Sequence, residues 1–265
     1  MTIPFFQVTA FSQSVFGGNQ ACVMPMNAWL SDDLLLQIAQ ENAVAETAYL
    51  KRLDQGVYAL RWFTPDLEMD LCGHATLASA HVVLNHLEPQ SARVVFQTQS
   101  GRLVVTRSEH GLDMALPNRM PTPAELPPAL AESLNTPPLE VHLARDFMLV
   151  YACQKDVEQF DVNRTLFDRT NLGTGGVIVT APGDDCDFVS RFFTPQATIL
   201  EDPVTGSAHC TLAPYWGELL GKTVMHAKQL SARRGTLRCE VMADHIQVSG
   251  QATTYLEGTV HLNQT

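Results

Sequence analysis

One carboxylate stands out by its surroundings. Glu46 lies in Ala43-Val-Ala-Glu-Thr-Ala-Tyr-Leu50, among small and apolar residues, where a predicted helix gives way to a strand. A carboxylate desolvated there should titrate nearer neutrality, which suits a group that takes and returns a proton. The alternative is a helix-terminal Glu turned to solvent. Two other segments carry polar groups up to a glycine that opens a small-residue helix: Asp70-Leu71-Cys72-Gly73-His74 and Glu201-Asp202-Pro203-Val204-Thr205-Gly206-Ser207-Ala208-His209. The first N–H groups of a helix lack partners, and with its dipole they suit a substrate carboxylate. His74 falls in such a first turn. Cys72 is either a thiol with a lowered pKa or a small core residue. Asp202 and Thr205 can also act as simple caps.

Other motifs count for less. Gly17-Gly18-Asn19 reads as a turn. Cys72, His74 and His209 could be assembled on paper as metal ligands, but no pair has a helical i, i+4 or C-x-x-C spacing, so no metal is expected. There is no P-loop and no G-x-G-x-x-G; Gly173-Thr-Gly175-Gly176 precedes a strand, the wrong order for a dinucleotide turn.

The elements that must position these residues occur twice. Arg61-Trp-Phe-Thr-Pro65 recurs as Arg191-Phe-Phe-Thr-Pro195, Gly73-His-Ala75 as Gly206-Ser-Ala208, and Gly101-Arg-Leu103 as Gly235-Thr-Leu237, in the same order and at near-constant internal spacing. This predicts two copies of one unit, 1–118 and 119–265, joined near the proline-rich stretch Pro117–Pro138, with the last strand able to pair back onto the first. In the first copy, Ser31-Asp32-Asp33 starts a helix that carries Leu34, Leu35, Ile38 and Ala39 on one face. Thr47–Leu53 and Val57–Phe63 flank Asp54-Gln55-Gly56 as a hairpin. Gly73–Leu84 is apolar nearly all round and predicts a buried helix. Its counterpart, Gly206–Trp216, contains Pro214, which should distort or end it. Strands and helices mix without a βαβ rhythm, so the fold class is α+β: two pseudo-symmetric domains, each a barrel-like sheet around a buried helix. The two helix starts are expected to face one shared pocket.

Composition narrows the function. The chain has 265 residues, 45% apolar and 17% charged, with a formal charge of −11. That balance is globular, and an acidic surface disfavours nucleic acid and anionic membrane. The apolar run Phe147–Cys153 is too short to span a bilayer, and the N-terminus has no basic, cleavable leader. Six dispersed cysteines read as free thiols, and the expected location is cytoplasmic.

Taken together, Gln7–Phe11, Phe16-Gly-Gly-Asn19, Asn42–Ala48, Arg61–Pro65, Asp70–Thr76, Glu201–His209 and Ser231–Leu237 resemble the PhzF family of phenazine-biosynthesis isomerase-like proteins, and more distantly diaminopimelate epimerase. The resemblance runs nearly end to end. It implies a diaminopimelate-epimerase-like fold, a cofactor-independent isomerase, and a homodimer. It implies that Glu46 shuttles a proton between carbons of a small carboxylate-bearing substrate. Asn19, Gly73, His74, Asp202, Gly206 and Ser207 would then contact or orient that substrate. The epimerases use two cysteines; Cys72 matches the first, and Asp202 is read at the place of the second, which breaks a two-thiol mechanism. A racemase using Cys72 with Asp202 or Glu46, and a non-catalytic ligand-binding protein of the same fold, stay as alternatives.

Overall fold

Alternating apolar residues build a run of strands in each half of the chain, and the strands pair in the same sequence both times. The computed structural model describes residues 1–262. The chain divides into two units, Met1–Ala115 with the chain from Val248 onward, and Leu116–Gln247. The fold is mixed, sheet-dominated and two-unit, as the α+β reading expects.

In the first unit, β1 (Thr2–Ala10), β2 (Asn19–Met26), α1 (Asp32–Asn42), β3 (Glu46–Asp54), β4 (Val57–Phe63) and the short β5 (Glu68–Met69) lead to α2 (Gly73–Val82). A π-helical turn, Val83–Leu87, then leads to β6 (Arg93–Thr98), β7 (Gly101–Ser108) and β8 (Gly111–Pro117). β1 is antiparallel to β2, β2 parallel to β3, β3 antiparallel to β4, β4 parallel to β6, and β6 antiparallel to β7. The C-terminal strand, Ala252–His261, pairs antiparallel with β1. Ser31 caps α1 by accepting from Leu34 N, and the helix buries Leu35, Ile38 and Ala39 against Ile3, Met24, Tyr49 and Phe63. In α2 every residue except His81 is buried. Small side chains permit this, because strands can approach an Ala- and Gly-rich helix from several sides.

The second unit repeats the plan through β9 (Thr122–Pro123), α3 (Pro128–Ser133), β10 (Glu140–Leu143), β11 (Phe147–Val150), α4 (Gln154–Glu158), α5 (Arg164–Phe167), β12 (Val177–Pro182), β13 (Phe188–Phe193) and the short β14 (Glu201–Asp202). A 3-10 turn, Gly206–Ala208, runs into α6 (His209–Leu220), followed by β15 (Val224–Gln229), β16 (Gly235–Val241) and β17 (His245–Gly250), whose last three residues belong to the first unit. From β10 to β16 the pairings are antiparallel, parallel, antiparallel, parallel and antiparallel, the order found from β1 to β7. Of the two outcomes expected at Pro214, distortion or an end to the helix, the end does not occur: α6 continues through it to Leu220. A proline removes the N–H that would bond the carbonyl four residues back. That carbonyl, on Cys210, instead accepts from the Arg119 backbone N–H at 2.9 Å.

The repeated Arg-x-Phe-Thr-Pro segments make the same clamp. Arg61 grips Glu68 through two bonds, Nε to Oε1 at 2.7 Å and Nη2 to Oε2 at 2.6 Å. Arg191 grips Glu201 likewise, at 2.7 and 3.0 Å, and its Nη1 also donates to the carbonyls of Val157 and Phe160. Each guanidinium lies over the phenylalanine two residues on, Phe63 or Phe193. The clamps pin β5 and β14 antiparallel to the ends of β4 and β13, just before the segments that open α2 and the 3-10 turn. Replacing Arg191 by Met strands Glu201 and two carbonyls; we expect a loss of about 2–3 kcal/mol in urea unfolding, below the ~3–5 kcal/mol of a fully buried pair. Arg191→Lys, which cannot make the two-pronged contact, should recover less than half of it.

Candidate active site

In the first unit the turn before β2 is obligatory. Gly18 has φ +60°, and a Cβ there would lie 2.2 Å from the Ala10 carbonyl. This close approach delivers Asn19 into β2 with its side chain fully buried. Glu46 is the first residue of β3, beside Ala21 of the parallel β2. Cys72 precedes α2, and His74 lies in its first turn. Sequence positions 19, 46, 72 and 74 thus meet around one imidazole. Asn19 Nδ2 is 3.0 Å from His74 Nδ1, Cys72 Sγ is 3.6 Å from the same nitrogen, and Glu46 Oε2 is 3.1 Å from His74 Nε2.

Glu46 is therefore not the isolated carboxylate its sequence neighbours suggest; its partner is distant in the chain. The two atoms stand at ion-pair distance without the alignment of a good hydrogen bond. With Asn19 Nδ2 as donor, His74 Nδ1 accepts and Nε2 carries the proton that faces Glu46. Full protonation of the ring would call for the Asn19 amide to turn its oxygen toward Nδ1. Burial opposes the imidazolium, but the Glu46 carboxylate beside Nε2 and the Cys72 sulfur beside Nδ1 outweigh it, and His74 is held well above the usual histidine range. Cys72 is pushed up to about 11, first by burial and then by the Glu46 charge, so near neutral pH it is a thiol. This reverses the lowered thiol pKa that a helix N-terminus suggests, because burial outweighs the dipole here. It also leaves Glu46 as the charge that sustains the imidazolium.

In the second unit the candidates surround Thr205. Its hydroxyl donates to Asp202 Oδ2 at 2.5 Å, and its N–H donates to Gln229 Oε1 at 2.7 Å. Gln229 Nε2 donates to the carbonyl of Asp202 at 2.8 Å, and Ser231 Oγ to that of Pro203 at 2.7 Å. Gln229 is a structural partner that sequence reasoning missed; a lone Gln at a strand end carries no motif. Gly206 and Ser207 open the 3-10 turn, and both are buried. His209 is fully buried, donates through Nδ1 to the Thr205 carbonyl at 2.9 Å, and is lowered by burial to about 4, so it is neutral.

The strand register aligns the two copies. Met69 pairs with Trp62 and Asp202 with Phe192, and each lies four residues before its helix-opening glycine. The counterpart of Cys72 is therefore Thr205; Asp202 stands at the position of Met69, which corrects the sequence reading. The same register makes Gly176 the counterpart of Glu46, because Thr47 pairs with Phe63 and Val177 with Phe193. A Cβ at Gly176 would fall 2.3 Å from the Phe192 ring. Only one copy carries the carboxylate.

Two units of this topology, each with a helix-opening glycine after a clamped short strand, make up a fold that recurs in solved racemase structures. A probable proline racemase of Agrobacterium radiobacter matches with a TM-score of 0.64 at 11% identity, over 98% of this chain and 93% of its own, which is a likeness of fold alone. Residues 8–258 match the model of the phenazine biosynthesis-like protein family, and the chain belongs to that family. It is 45% identical over 263 residues to an uncharacterized isomerase of Pseudomonas aeruginosa, covering 99% of this chain and all of the relative. A PhzF-family structure from Enterococcus faecalis superposes with a TM-score of 0.91 at 40% identity, covering 99% of this chain and all of the other. The chain is an isomerase on this footing.

The ion pair makes a testable demand. A histidine whose folded-state value lies above its unfolded value of about 6.5 stabilises the fold fully below that pH, and the contribution is lost as pH rises through the folded value. In Glu46→Gln the imidazole titration of His74, followed by NMR, should move down to about 6.5 or lower. An unmoved titration would show that Glu46 does not hold that proton. His209 acts with opposite sign: its stabilising contribution is present above about 6.5 and is lost as pH falls, because the unfolded chain takes up the proton first.

Proposed function

We propose that this isomerase moves a proton between two carbons of a small carboxylate-bearing substrate, with Glu46 as the acid–base group. The observation that carries the reading is the buried Glu46–His74 pair beside the first turn of α2. Glu46 takes the proton from a carbon alpha or vinylogous to the acid. The C–H electron pair passes into the carboxyl system as an enolate, and the same proton returns to another carbon. Protons and electrons balance within the substrate, so the step consumes no co-reactant. His74 orients the carboxylate and answers the charge it gains and loses, and Asn19 holds the ring from its far side. The backbone N–H of Gly73, at the opening of α2, binds a carboxylate or enolate oxygen of the substrate. A positioned base supplies about 10²–10⁴-fold, and oxyanion donors a comparable factor.

Incubation with the substrate in deuterium oxide tests the assignment. Glu46→Gln should fold and lose proton transfer by about 10³-fold or more; a Gln variant as active as the parent ends the proposal. A racemase reading would rest on Cys72, which lies in contact with His74 Nδ1. Cys72→Ala should keep at least about a tenth of the activity, because its counterpart is Thr205 and burial holds it as a thiol. Complete loss in a folded Cys72→Ala protein, with inversion at a stereocentre, would favour the racemase.

A further inference from the structure

We propose that Glu46, Cys72 and His74 form a binding site for a thiophilic divalent cation such as Zn²⁺, and that its occupancy blocks the acid–base group. Folding creates this site. Cys72 and His74 are near neighbours in sequence, but Glu46 reaches them only through the pairing of β2 with β3 and the packing of α2 on both. One carboxylate oxygen, one thiol sulfur and one ring nitrogen lie within 4.8 Å of one another, and no other three such side chains converge among the described residues.

Three features fit a cation. The donor set is sulfur, nitrogen and oxygen, which zinc accepts together. Bonds of roughly 2.0–2.3 Å to a tetrahedral ion place ligand atoms about 3.3–3.8 Å apart. Glu46 Oε2 and His74 Nε2, at 3.1 Å, are already near that edge, and Cys72 Sγ, 3.6 Å from Nδ1 and inside the 4.8 Å limit, swings toward Nε2 to complete the triangle. Finally, Glu46 Oε2 and His74 Nε2 are buried and face each other without an aligned hydrogen bond, an arrangement that a shared ligand would satisfy. The side chains are 2% exposed at His74 and 12% at Glu46. On binding, Cys72 and His74 Nε2 each give a proton to solvent; the thiolate becomes the anionic ligand, and Nδ1 keeps its proton with the Asn19 amide turned to present its oxygen. The fourth position stays open for water or a carboxylate. The inference that the metal inhibits rests on the proposed function; the metal site itself does not.

Cobalt(II) separates the two. The protein used carries Cys153→Ser, because Cys153 is an exposed thiol outside the cluster. Anaerobic titration with Co²⁺ alone should give a thiolate-to-cobalt band in the near ultraviolet and visible bands of tetrahedral strength, both abolished by Zn²⁺. Cys72→Ala should remove the thiolate band and weaken zinc binding by about 100-fold or more, since even an outer-shell partner is worth 10–100-fold. Glu46→Gln, which leaves all three side-chain volumes in place, should keep the band and still weaken zinc at least tenfold. No band in the parent, a band that survives Cys72→Ala, or zinc affinity indifferent to Glu46→Gln overturns the site. Zinc should also stop deuterium incorporation. If no proton transfer is ever found while the cobalt spectrum behaves as described, the proposed function fails and the metal site stands.

Discussion

A two-pronged bond between a guanidinium and a carboxylate, made once in each half, holds the candidate site in register. The backbone before a helix-opening glycine has no ladder of its own to fix it. Glu68 and Glu201 supply the anchor, because a planar fork meeting a carboxylate fixes orientation as well as distance. Arg61 and Arg191 are each partly shielded, at 20% and 15% exposure, so their contacts are less screened than those of a surface pair. From these anchors it is only a few residues to Cys72, Gly73 and His74 in one unit, and to Thr205, Gly206 and Ser207 in the other. The first clamp reaches further, since Arg61 also meets Asp32 in the opening turn of α1.

Electrostatics then distinguishes two buried histidines on otherwise similar scaffolds. His74 sits against a carboxylate and retains a proton; His209 sits against the Phe188 ring, at 5.9 Å, and loses it. Desolvation acts on both, and only a neighbouring charge reverses its effect. The duplicated framework thus carries a charged network in one copy and a neutral, hydrogen-bonded one in the other.

Much of this was legible in the sequence, for identifiable reasons. The repeat showed because the clamp and the helix opening use the same residue types at matched spacing. The start of α1 showed because Ser31 and its two acids form a local signal, and the burial of α2 showed because it carries almost no polar face. What stayed hidden was non-local. Nothing near Glu46 in the chain announces His74, and nothing near Asn19 announces that it meets the same ring. Pro214 left two outcomes open for the same reason: a local rule disfavours it, and a backbone N–H ninety-odd residues upstream, on Arg119, removes the conflict. Matching Asp202 to a cysteine failed although the aligned glycines, Gly73 and Gly206, already set Cys72 level with Thr205, and the strand register agrees with the glycines.

Gly176 sets a limit on the second half of the duplication. Its position corresponds to that of Glu46, and the space a side chain would need is filled by the ring of Phe192. Any single substitution that lengthened residue 176 would collide with that ring before it could offer a new functional group. Shrinking Phe192 first would open a hole in a packed interior, at a cost of about 3–5 kcal/mol. A lineage would have to cross that destabilised intermediate to arm the second half. A side chain at residue 176 therefore needs at least one compensating change in the packed interior, which residue 46 does not.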